Sequence, residues 1–157
     1  MPLLPTQGGS PGTWGTEVNN YLLLEHNTDG THKFPITLQV KAFDDASVVT
    51  TGDGSVYIVI PANLNGRNLT AAHAYVSTVS TSATPTVQLR RVRAGTPVDM
   101  LSTKITIDAN EVSSYTAAAP PVINVANDDV ATGDVIGVDV DLAGTGAKGL
   151  GVILTFQ

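Results

Sequence analysis

From residue 36 onward, apolar residues recur at every second position, in short runs closed by turn residues. A period of two sends alternate side chains to opposite faces of a strand, so this stretch is restricted to sheet with one buried face. Val56, Ile58 and Ile60 alternate with Tyr57 and Val59. Pro61 then ends the run, because it has no N–H to give to a ladder. Residues 69–79 read as a long strand with Leu69, Ala71, His73 and Tyr75 on one face and Ala72, Ala74 and Val76 on the other. Within 86–93, Val87 and Leu89 point inward and Val92 falls out of phase, which predicts a bulge near Arg90 and Arg91.

The same logic covers the rest of the chain. Leu101, Thr103, Ile105 and Ile107 share a face, against Lys104, Thr106 and Asp108, and residues 122–125 make a short strand. Ile136, Val138, Val140 and Leu142 point inward while Asp139 and Asp141 point outward. Residues 149–156 are almost all apolar and read as a central strand with Val152, Leu154 and Phe156 on one face. Adding 36–43 and 47–50 brings the total to about eight strands, separated by turn signals such as Asp53-Gly54, Asn65-Gly66 and Ala94-Gly95. The expected fold is mainly β: a single antiparallel β-sandwich, jelly-roll-like, preceded by an extended arm and one short helix.

The arm is residues 1–13, with three prolines and three glycines. In the next stretch Val18, Tyr21, Leu22 and Glu25 share a helical stripe, with Thr16 placed as N-cap. The turn at Asp29-Gly30 stops that helix. Two parts follow: 1–35, an attachment segment, and 36–157, the sandwich. Trp14 is the sole tryptophan and stands at the head of the helix, with Tyr21 and residues 22–24 after it. So short a helix is marginal without a partner, and a docking face for another chain is the preferred reading over a helix that folds back on its own sandwich.

Charge narrows the function. Eight basic and fourteen acidic residues give a net charge of −6, and nucleic-acid binding needs Lys and Arg to neutralise phosphates. Nucleic acid and anionic membrane surfaces are therefore excluded as partners. With no cysteine there is no disulfide, thiolate metal site or Cys nucleophile. The apolar runs at 57–61 and 149–154 are far shorter than a membrane span, and residues 1–5 lack signal-peptide features, so synthesis in the cytoplasm is expected.

Candidate chemistry is sparse. His26 and His32 bracket Asp29 and could converge on a metal, but hydrogen bonding within the loop is the preferred reading. His73 reads as a satisfied core or interface residue. Asp128, Asp129, Asp134, Asp139 and Asp141 are read as a solvated acidic face rather than a Ca²⁺ site or a glycosidase pair. The glycine-rich 144–149 lies between two strands and so has no helix N-terminus to aim at a phosphate. No enzyme, catalytic residue, metal or cofactor is expected.

The order Leu4-Pro5, a Gly/Ser/Pro stretch, Thr13-Trp14-Gly15, Asn19, then His26-Asn27-Thr28-Asp29-Gly30-Thr31-His32 resembles a segment near the N-terminus of tailed-bacteriophage fibre and virion-appendage proteins. That resemblance covers about 30 residues and implies an attachment role for Trp14, Gly15, Asn19, His26, Asp29, Gly30 and His32, beside Tyr21 of the docking face. Less specifically, the remainder is similar to jelly-roll domains of fibre knobs and capsid decoration proteins. The resemblance implies a virion structural protein: a short tail-fibre or fibre-like appendage subunit, trimeric, bound to other virion proteins of the tail, baseplate or major capsid. A capsid decoration protein is the alternative. A carbohydrate-binding module is a further one, with Tyr57, Tyr75 and Tyr115 as candidate platforms and a host surface glycan as ligand.

Overall fold

The computed structural model describes Val18 and residues 34–157. The chain divides between Pro35 and Ile36, and the compact unit Ile36–Gln157 is taken by itself. Its strands are β1 (Ile36–Lys41), β2 (Gly52–Val59), β3 (Leu69–Tyr75), β4 (Thr86–Arg93) and β5 (Thr96–Asp99), then β6 (Leu101–Thr103), β7 (Ile105–Thr106), β8 (Val122–Ile123), β9 (Val135–Leu142) and β10 (Gly151–Phe156). All strand pairs are antiparallel.

One sheet runs β1-β10-β3 and the other β2-β9-β4-β5, with β7 on β4 as well; β6 and β8 make a small ribbon. The first strand thus pairs with the last and the second with the penultimate. This nested order is that of a jelly-roll-like β-sandwich. The two sheets share one core, in which Val152, Leu154, Phe156, Ala72 and Ala74 meet Ile136, Val138, Val140, Val87, Leu89 and Ile58. As the apolar run at its end implies, β10 is central in its sheet.

Several local expectations are corrected. Leu69 does not share the face of His73 and Tyr75: a register shift between Thr155 and Phe156 sets it opposite Phe156, in the core. The strand from 69 stops at Tyr75, because the N–H of Val76 turns to the Val112 carbonyl and that of Ser77 to Lys148. Leu142 is exposed, at the end of β9. Residues 101–107 are not one strand, for Leu101–Thr103 pair with β8 and Ile105–Thr106 with β4. Instead of a strand at 47–50 there is an isolated bridge between Val48 and Lys148.

No bulge interrupts Arg90 and Arg91. The β4–β9 register is unbroken from Val87 to Val92 and shifts between Thr86 and Val87 instead. Arg91 therefore stays on the core-facing side, opposite Ile136, and is buried. The unforeseen strand β5 folds back on β4 through Ala94 and Gly95, at φ 48° and 81°. Two consecutive left-handed residues define the tight hairpin turn whose twist matches the flanking strands.

Candidate functional site

The carboxylates after residue 128 do not form a solvated acidic face. Arg91 donates from Nη1 to Asp129 Oδ1 at 2.5 Å and also to the Asp129 carbonyl. Arg93 donates from Nη1 to Asp129 Oδ2 at 2.8 Å and binds Asp134 through two bonds, Nε to Oδ1 at 2.9 Å and Nη2 to Oδ2 at 2.7 Å. The N–H of Ala131 adds a bond to Asp134 Oδ2 at 2.8 Å. Hydrogen bonds from Arg91 and then Arg93 hold the Asp129 carboxyl below its ordinary range, and Arg93 does the same for Asp134. The Arg93 guanidinium is in turn held more basic, by Asp134 first and then Asp129. Carboxylates kept ionised in this way cannot serve as the proton-donating partner of an acid–base pair.

Asp139 points outward but is only 6% exposed. Gly54 donates its N–H to Asp139 Oδ1 at 2.6 Å, and Arg90 Nε lies 3.2 Å from Oδ2. Arg90 also reaches toward Asp53, at 3.7 Å. Asp141 pairs with Lys104 at 2.9 Å. Among the described residues, no group of three or more His, Asp or Glu side chains is placed to hold a metal ion.

The outward face of the β2-β9-β4-β5 sheet is the more apolar of the two. Val59, Val135, Val92 and Pro97 stand in register across its four strands, and Tyr57, Gly137, Arg90 and Asp99 form the next row. Val59 is 64% and Tyr57 61% exposed. The Tyr57 ring rests on two glycines: a Cβ at Gly137 would sit 3.4 Å from its Cε1, and one at Gly54 would overlap its hydroxyl end. Gly54 has φ +64° and belongs to an irregular step in which residues 53–55 bridge from Gly52, opposite Val140, to Val56, opposite Val138. The sequence signal Gly52-Asp53-Gly54 marks this widened step rather than a simple turn.

The outward face of the β1-β10-β3 sheet is polar and aromatic. Gln39, Ile153 and His73 form one row, and Lys41, Gly151 and Tyr75 the next. Tyr115, on a short 3-10 turn, stacks on His73 with ring centroids 3.9 Å apart and an interplanar angle of 18°. Ser114 Oγ accepts the Ala74 N–H at 3.0 Å and lies 3.3 Å from His73 Nδ1, leaving its own proton available to that nitrogen. Burial lowers the His73 pKa, which favours the neutral ring. His73 is thus a satisfied, half-buried residue of the sheet surface. The Tyr75 ring covers Gly151, and Lys41 is paired with Asp45 at 2.7 Å.

The attachment residues expected from sequence, Trp14, Gly15, Asn19, Tyr21, His26, Asp29, Gly30 and His32, lie outside the described residues, as do the arm and all of the expected helix but Val18, which is helical. Sequence reasoning did not single out the Val59 row, because an exposed valine on a strand is indistinguishable from a buried one until its sheet is paired. The seat of Tyr57 carries a weak signal: glycines on neighbouring strand positions beside an outward tyrosine. Among the described residues no helix is long and apolar enough to cross a membrane. Comparisons with protein-family models, curated proteins and solved structures found no match.

Proposed function

We propose that this protein is a structural subunit of a bacteriophage virion, a short fibre-like appendage subunit that self-associates as a trimer and attaches through residues 1–35. The observation that carries the self-association is the outward row Val59, Val135, Val92 and Pro97, exposed at Val59 and Pro97 and half-buried at Val135 and Val92, beside the exposed Tyr57. Aromatic and arginine anchors beside aliphatic side chains are the usual composition of an interface core. Covering Val59, the one exposed valine of the row, is worth at most roughly 1.5–3 kcal/mol, before the losses of association are subtracted.

The occupant that fits is a second copy. The chain carries a net charge of −6, so like molecules repel at most of their surface. On this face Arg90 offsets one of its two carboxylate partners, Asp139 and Asp53, and the valine row itself is uncharged, so a second copy meets least repulsion along that row. The attachment role and the virion setting rest on the resemblance of residues 4–32. Light scattering of the purified chain tests the association: a mass of three copies is expected, and Val59→Glu should reduce it to one. A wild-type monomer at all concentrations overturns the self-association. A map of the intact particle tests the position, and its absence from the virion surface overturns the virion role.

A further inference from the structure

We infer that the outward face of the β1-β10-β3 sheet binds a neutral saccharide, seated on Tyr115 and Tyr75. Tyr115 has one ring face on His73, yet its side chain is 62% exposed, so the opposite ring face is open to water. The stack fixes the ring before any ligand arrives, which removes part of the ordering cost of binding. A second ring, Tyr75, stands over Gly151 two residues along β3 from His73, about 7 Å away along the backbone. The face of an aromatic ring is its electronegative side and attracts the weakly positive C–H groups on the apolar face of a sugar ring.

A sugar also needs hydrogen-bond partners at the edge of the platform. Gln39, exposed two strands from His73 in the same row, offers both a donor and an acceptor, and the Lys41–Asp45 pair borders the row of Tyr75. Charge selects the class of sugar. Lys41 is neutralised by Asp45 and the His73 ring is uncharged near neutral pH, so nothing on the face attracts a sulfate, phosphate or sialic acid carboxylate. A protein partner fits less well, because Ile153 is the one large aliphatic side chain in these two rows.

This inference does not depend on the virion reading, and it uses the face opposite to the proposed subunit contact. The test is an array of neutral oligosaccharides ending in glucose, galactose, mannose or N-acetylhexosamine, followed by titration of the best ligand into the full-length protein. Binding to at least one neutral glycan is expected. Tyr115→Ala should weaken it at least tenfold with an unchanged melting temperature, while Leu142→Ala, at the exposed end of β9 on the other sheet, leaves it intact. If Tyr115→Ala fails to fold, Gln39→Ala takes its place, with a loss of at least threefold expected. Binding of no neutral glycan, a preference for sialylated or sulfated ones, full affinity in the platform variant, or loss of binding in Leu142→Ala would each overturn the proposal.

Discussion

The hydroxyl end of Tyr57 fills the space in which a side chain on Gly54 would stand, three residues earlier in the same strand. Gly54 also has a left-handed φ of +64° and gives its N–H to the buried Asp139 carboxylate at 2.6 Å. One residue thus seats the most prominent outward aromatic of its sheet and satisfies a buried charge.

Gly54→Ala should therefore destabilise the domain by about 2–3 kcal/mol, from the left-handed backbone and the displaced ring together. In a Tyr57→Ala background the overlap disappears, and the same change should cost only about 1–2 kcal/mol. Urea unfolding of the four proteins in this cycle measures the difference. Equal costs in both backgrounds would mean that the ring moves aside freely.

Ala94 sits at φ 48° in the β4–β5 turn, where a residue with a Cβ is strained. Ala94→Asn creates the Asn-Gly pair that this turn prefers and should raise stability by about 0.5–1 kcal/mol. A rise in the denaturation midpoint with an unchanged slope is the expected result. A fall would show that the hairpin does not use this turn in solution.

Acid should weaken the cluster at Arg91 and Arg93. The pKa values of Asp129 and Asp134 lie below their unfolded value of about 3.9, so their contribution is full above that value and fades as pH falls through the folded ones. His73 acts at a higher pH: its lowered pKa removes stability as pH falls below about 6.5. Comparing wild type with Asp134→Asn cancels the histidine. The variant should be less stable by about 2 kcal/mol at pH 7, through its lost charge-assisted hydrogen bonds, with the gap closing below about pH 4. A gap independent of pH would remove the ion pair as its cause.

Exposure at Tyr115 and Val59 predicts little loss on truncation in the single chain. Tyr115→Ala and Val59→Ala should each change unfolding free energy by no more than about 1 kcal/mol. Losses above about 2 kcal/mol at either position, measured on monomer, would mean that the side chain is covered within its own chain.

The architecture was legible wherever one face of a strand is buried. Val152, Leu154 and Phe156, like Ile136, Val138 and Val140, are inward because alternation leaves them no other face. Arg91 defeated the same reasoning. Hydrophobic pattern reading sends every charge outward, whereas Arg91 faces the core and pairs through Nη1 with Asp129, 38 residues away, a partner that no local pattern reveals. The burial of Asp134 and Asp139 is hidden from the sequence for the same reason, since it depends on Arg93, Arg90 and the Gly54 N–H. Of the aromatic platforms, Tyr57, Tyr75 and Tyr115 could be nominated from residue type alone. Their glycine seats and the His73 stack depend on cross-strand register and on where the 114–116 turn folds back.

The pairing of Ile36 with Phe156 has an engineering consequence. Cα atoms of directly opposed antiparallel residues are about 5 Å apart, so a short glycine-rich peptide suffices to join the sandwich's first strand to its last. Opening the ring so formed at Ala94-Gly95 would give a permuted chain with every sheet neighbour retained. In that chain the tip of the β4–β5 hairpin becomes the place where a label or a foreign peptide can be displayed.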